Sequence, residues 1–148
     1  MSKKVNRLQS VQPLNDLVLE ATYTSGQVIR VDLTDLVARL AVFAPLQNRQ
    51  VFNQVAVADW GHSVAWSEDA SLDADRLLEM ALEQAGRTDT LEFRRWQDRY
   101  GLSLTAAAQA IGLSRRSISQ FRMGHRAVPR TVLLACKGWE VEHRQQQA

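Results

Sequence analysis

The hydrophobic pattern of this 148-residue chain includes a period of two only in its first half, and that division limits what it can fold into. In LVLEATYTSGQVIRVDL, Leu17, Leu19, Ala21 and Tyr23 fall on alternate positions, Ser25-Gly26 breaks the run, and Val28, Ile29 and Val31 resume it. Alternation on both sides of a short polar break predicts a β-hairpin. FNQVAVADWGHSVAW repeats the theme, with Val55 and Val57 before Trp60-Gly61 and Val64 and Trp66 after it. From Thr90 onward the spacing is helical throughout: Phe93, Trp96 and Tyr100 lie at i, i+3 and i+7. A period of two followed by a period of 3.6 predicts an α+β unit followed by an all-α unit.

The first half holds helical patterns too. Leu33, Leu36, Val37 and Leu40 predict a short helix or turn that Pro45 ends, and Leu77, Leu78, Ala81 and Leu82 predict a longer helix. Ser71 or Asp73 is placed to cap that helix, and Gly86 to close it. We therefore expect about four strands and one sound helix over residues 1–87, a boundary near 86–89, and a helical domain over 88–148. With 45% hydrophobic residues each half can bury a small core.

In the second half, the expected first helix runs from Leu91 to about Tyr100 behind a Thr90 cap and stops at Gly101. Ser103 can cap the next, whose Leu104, Ala107, Ala108 and Ile111 form a stripe that ends at Gly112. Ser114 can cap a third helix over 114–123 with Ile118 and Phe121 on its inner side. Arg115, Arg116, Ser119 and Gln120 then share the outer side, where they can donate to phosphates and base edges. Small alanines permit close helix packing, and the glycine supplies the sharp turn.

Charge separates the halves in the same way. Residues 1–87 carry 8 Lys and Arg against 11 Asp and Glu, net −3, and residues 88–148 carry 10 against 5, net +5. No acid lies between Asp98 and Glu140, a span that holds Arg99, Arg115, Arg116, Arg122, Arg126, Arg130 and Lys137. Such a stretch is the electrostatic footprint of a polyanion binder.

Other function classes find little support. The apolar runs are too short to span a bilayer, and MSKKVNRLQS lacks the apolar centre of a signal peptide, so a cytoplasmic protein is expected, with no membrane partner. Cys136 is alone, and His62, His125 and His143 are scattered, which predicts neither disulfide nor metal nor cofactor. Val132, Leu133 and Trp139 share its helix face, so Cys136 reads as a core thiol. Asp59, Trp60, His62 and Trp66 straddle a turn and read as packing aromatics with polar tips in water. Asp69, Asp73 and Asp75 read as charges at a helix start rather than cation ligands. No catalytic constellation is expected.

The run Leu102-Ser103, Ala108, Gly112-Leu113-Ser114, Ile118-Ser119, Gly124 and Pro129 resembles the lambda-repressor/Cro-type (XRE-like) helix-turn-helix domains over about 40 residues. The resemblance implies a third helix that enters the major groove, with Arg115, Arg116 and Gln120 at base-contacting positions. It also implies His125, Arg126 and Arg130 as backbone contacts, and hence a transcriptional regulator of double-stranded DNA. The pattern departs from that family at Leu104 and Thr105, where Gln or Glu often opens the second helix. It departs again at Arg122, where an acid is frequent, so the family's internal salt bridge is not expected and the cation should favour phosphate.

LNDLVLEATYTSGQVIRVDL, VFNQVAV and ASLDADRLLEMA resemble a small bacterial α+β domain of unknown function over roughly residues 8–82. That resemblance implies at most a small protein partner, and with it a rival reading as an antitoxin-like adaptor whose helical domain serves autoregulation. A single short recognition helix further predicts a homodimer, with its contact expected mainly in the first domain.

Overall fold

The structure is a computed structural model and describes residues 6–147. The described chain divides into two compact units, 6–85 and 86–147. Each holds its own core, and the molecule is α+β with two small antiparallel three-stranded sheets.

In the first unit β1 (Leu8–Pro13), β2 (Val18–Tyr23) and β3 (Val28–Asp32) form a meander. Leu19 pairs with Val31 and Ala21 with Ile29, so the alternating apolar residues of β2 and β3 face one core. Gly26, at φ +92°, makes the turn between them. α1 (Thr34–Arg39), a 3₁₀ stretch (Ala41–Gln47) and α2 (Arg49–Phe52) then bury Leu36, Val37, Phe43, Leu46 and Phe52. The second sheet is β4 (Ala56–Ala58), β5 (Ser63–Ala65) and β6 (Ser71–Asp73), and α3 (Ala74–Gln84) follows. Two polar ties fix α3. The Tyr23 hydroxyl donates to the Ala74 carbonyl at 2.7 Å, and the Gln84 amide exchanges two bonds with the Asp32 backbone at 2.8 and 2.9 Å.

Four details differ from the sequence-based expectation. β1 and β6 raise the strand number from about four to six, because LQSVQP shows no strict alternation and β6 is only three residues long. The first helix stops at Arg39, where Leu40 turns extended, and Pro45 lies inside the 3₁₀ stretch, whose tighter turn tolerates it. Asp73 occupies the N-cap of α3, but its side chain makes no capping bond. Trp66 packs between Phe43 and Phe52 as expected, whereas Trp60 is 88% exposed. Asp59, Trp60 and Gly61 all take positive φ, and this turn swings the Trp60 indole into solvent.

The second unit is α4 (Thr88–Arg99), α5 (Leu104–Ile111), α6 (Arg115–Arg122) and α7 (Arg130–Gln147) around Phe93, Trp96, Ala107, Ala108, Ile118, Phe121, Val128 and Cys136. Ser103 and Ser114 cap α5 and α6 through bonds from Ala106 and Ser117 N–H at 3.0 and 3.1 Å. Gly112, at φ +74°, closes α5 in the left-handed conformation that a β-carbon disfavours. Thr90 is not the cap of α4. The helix begins two residues earlier, and the buried Thr90 hydroxyl accepts from Arg87 at 3.0 Å.

Polar side chains of α4 hold the far end of α6. Arg94, 2% exposed, donates to the Arg122 carbonyl at 2.8 Å, and Arg122 in turn donates to Gln97 and Asp98 at 3.2 and 2.9 Å. Arg87 donates to the Gly124 and Arg126 carbonyls, and Asp89 accepts from Val128 N–H at 2.8 Å. Burial pushes the Asp89 carboxyl up, but the bonds from Val128, Thr90 and Arg87 outweigh it and hold the group below its ordinary 3.8.

Two outcomes follow from these contacts. A β-carbon on Gly61 would lie 2.8 Å from the Leu8 carbonyl oxygen at φ +89°, so Gly61→Ala should cost about 1–3 kcal/mol, read by urea denaturation. Because the folded Asp89 pKa is depressed, its contribution is complete at neutral pH and is lost as pH falls through the lowered value. Asp89→Asn should therefore be less stable than the parent by about 1–3 kcal/mol at pH 7. The difference should close as the pH drops below the ordinary carboxylate range; a constant difference would contradict the assignment.

Candidate nucleic-acid interface

α6 is short, and its amphipathic order decides what it shows to solvent. Ile118 and Phe121 are 0% and 2% exposed and seal it onto the core, where Phe121 meets Phe93 edge-on. Arg115 and Arg116, one and two positions after the Ser114 cap, are exposed, while Ser119 and Gln120 are half-buried on the flank. The structure thus brings Ser114, Arg115, Arg116, Ser119 and Gln120 onto one helix and its cap. Among the described residues no hydrogen bond or ion pair engages the side chains of Arg115, Arg116 or Arg130.

Two cations in the first turn of a helix oppose the macrodipole, whose N-terminal end is positive. Each such placement costs a few tenths of a kcal/mol, and the free N–H groups there attract an anion. An anionic ligand resolves both. The same helix end has no acidic residue in its first turn, so the protein itself supplies no compensation.

The loop after α6 extends the surface. His125, Arg126 and Arg130 are exposed, and the His125 and Arg126 N–H groups bond the Gln120 carbonyl at 3.0 and 3.3 Å. Arg126 donates to the Gln120 side-chain oxygen at 3.2 Å and lies 4.9 Å over the Phe121 ring. Gln120 and Arg126 are therefore pre-set by each other rather than free rotors. Arg130 starts α7 beside this loop.

Arg122 stands apart from its neighbours. Its side chain is 19% exposed and faces α4, where the ion pair with Asp98 satisfies both partners. The cation expected to serve phosphate is thus engaged inside the unit, in an ion pair that the sequence reading did not foresee. That reading also missed the half-buried Arg87 and Asp89 and the buried Arg94 and Gln97, which orient α6 and its loop. Charged residues on an amphipathic helix read as its solvent face, so no sequence signal marked them.

Cys136 is buried, and burial, then the charges of Glu140 and Glu92, push its thiol up to about 12. It is protonated at neutral pH and acts as a packing group.

Comparison with known proteins bears on both units. A crystal structure from Nitrosomonas europaea ATCC 19718, named "Putative DNA Binding Protein NE0471", is similar to this chain with a TM-score of 0.70 and 36% identity. The likeness covers 95% of this chain and 90% of that one. No curated protein matches. Residues 8–83 match a family model described as a protein of unknown function, DUF2442, so the sheets and helices of the first unit are those of that family. The chain belongs to the DUF2442 family.

Proposed function

We propose that this chain binds double-stranded DNA sequence-specifically, as a cytoplasmic transcriptional regulator that works as a homodimer without catalysis or cofactor. In this reading α5 and α6 form a lambda-repressor/Cro-type helix-turn-helix, and residues 114–123 enter the major groove. The observation that carries it is the pair Arg115 and Arg116, exposed and unengaged at the positive end of a helix whose other end is clamped. A solvated basic face would need neither the clamp nor the unfavourable dipole placement. The similar Nitrosomonas europaea structure, named "Putative DNA Binding Protein NE0471", supports the same reading.

The roles divide by reach. Arg115 or Arg116 pairs with guanine in the groove, and Gln120 pairs with adenine. Ser114 and Ser119 are short donors to phosphate or base edges at the helix start, and His125, Arg126 and Arg130 hold the backbone and set register. Arg122 acts through its ion pair by fixing the end of α6. A second reading rests on Trp60, whose 88% exposure on a turn of positive φ is what an anchor for a protein partner would show. There the first unit engages a small protein, as an adaptor or antitoxin-like component, and the helical unit serves autoregulation.

Selection of binding sites from random duplex, followed by titration of variants against the selected site, tests the proposal. Arg116→Ala or Gln120→Ala should lose about 1–3 kcal/mol of discrimination at one base position. Arg130→Ala should instead weaken all sequences alike and make the slope of log affinity against log salt shallower by about 1. Uniform effects from all three would refute direct readout, and a parent chain that selects no sequence would favour the adaptor.

A further inference from the structure

Among the described residues the outer face of α7 has no partner. Projected at about 100° per residue, Thr131, Leu134, Gly138, Val141 and Gln145 fall within roughly 80° of arc, opposite the Cys136 and Trp139 side that packs on the core. Leu134 and Val141 are 49% and 53% exposed, two large aliphatics one heptad apart. Gly138 lies between them in mid-helix, where glycine is the poorest helix former after proline. Nothing in the fold asks for it: a β-carbon there would meet no atom within 4 Å, and its φ is not positive. A glycine that weakens a helix without serving its own chain fits the close approach of another backbone.

The flanks of the stripe say which backbone and in which direction. One edge carries Arg130, Lys137 and Arg144, and the other carries Ala135 and Glu142. Two such helices side by side and antiparallel would set the cationic edge against itself. Parallel pairing sets it against the opposite edge, and Lys137 then meets Glu142 of the second copy at the five-residue offset of coiled-coil flanking pairs. Leu134 and Val141 stack on their own counterparts, and Gly138 faces Gly138.

We infer that α7 is a self-association surface, on which a second copy of this chain seats its own α7 in parallel, with Leu134 and Val141 as the apolar layers and Lys137 bonded to Glu142 across the pair. This deepens the reading of the chain as a homodimeric DNA binder and moves the contact from the first unit, where the sequence reading expected it, to the helical one. The exposed side chains of α6 are not used by the pairing, so two recognition helices remain available to two half-sites. Thr131 and Gln145 at the remaining layers are polar, so the association is modest and depends on concentration.

The test needs no DNA, so its failure leaves DNA binding by α6 standing, though not the homodimer, and a failure of DNA binding leaves this inference. Light scattering of the full chain at tens of micromolar should give a dimer, and Val141→Glu and Leu134→Glu should give monomers with unchanged far-UV circular dichroism. Gly138→Leu improves the helix yet wedges the pair apart, so it should keep or raise the melting temperature while weakening association roughly tenfold or more. Val141→Cys alone should form a disulfide dimer under a mild oxidant, the buried Cys136 staying unreacted. A monomeric parent protein, a dimer that survives both glutamate variants, or a crosslink that appears only when Leu134→Cys and Val141→Cys chains are mixed would overturn the inference.

Discussion

The second unit depends on a buried guanidinium. Arg94 lies on the inner face of α4 and bonds the last carbonyl of α6, a group that the helix itself leaves without a partner. A buried cation is costly unless its donors are satisfied, so its geometry ties the position of α6 to that of α4. Arg122, Gln97 and Asp98 extend the tie, and Arg87 with Asp89 extends it to the loop ahead of α7. Helices as short as α5 and α6 are marginal by themselves, and packing on Phe93 and Trp96 with these polar ties gives them a fixed orientation.

One consequence is a division of labour between the two ends of α6. The C-terminal end is anchored through backbone carbonyls, and in the first turn the side chains of Arg115 and Arg116 are left uncommitted. Arg115 and Arg116 can then be spent on a ligand, and the unfavourable meeting of cations and helix dipole is relieved when an anion arrives. Gln120 and Arg126 hold each other in place, which lowers the entropy lost when either one binds.

Much of this was legible in the sequence because it is written in local rules. The Ser103 and Ser114 caps, the Gly112 turn, the Ile118 and Phe121 face and the β2–β3 hairpin each follow from a few neighbouring residues. The clamp was not legible, since Arg94 and Gln97 bury polar groups on a helix whose charged residues otherwise read as its solvent face, and their partners lie 5 to 28 residues away. The same holds for β1, whose strand character comes from pairing with β2 rather than from its own pattern, and for Trp60, which three consecutive positive φ values turn outward. Arg122 shows both sides: its charge was plain, but only the fold decides that Asp98 takes it.

In the proposed function the clamped α6 and the loop behind it form the surface that meets DNA. Backbone amide NMR of the 148-residue chain titrated with a duplex reads that surface directly. Shift changes should concentrate at residues 114–120 and 125–130, strongest around Arg115 and Arg116 and fading along α4. Changes confined to the first unit, or none at a duplex excess in low salt, would contradict it.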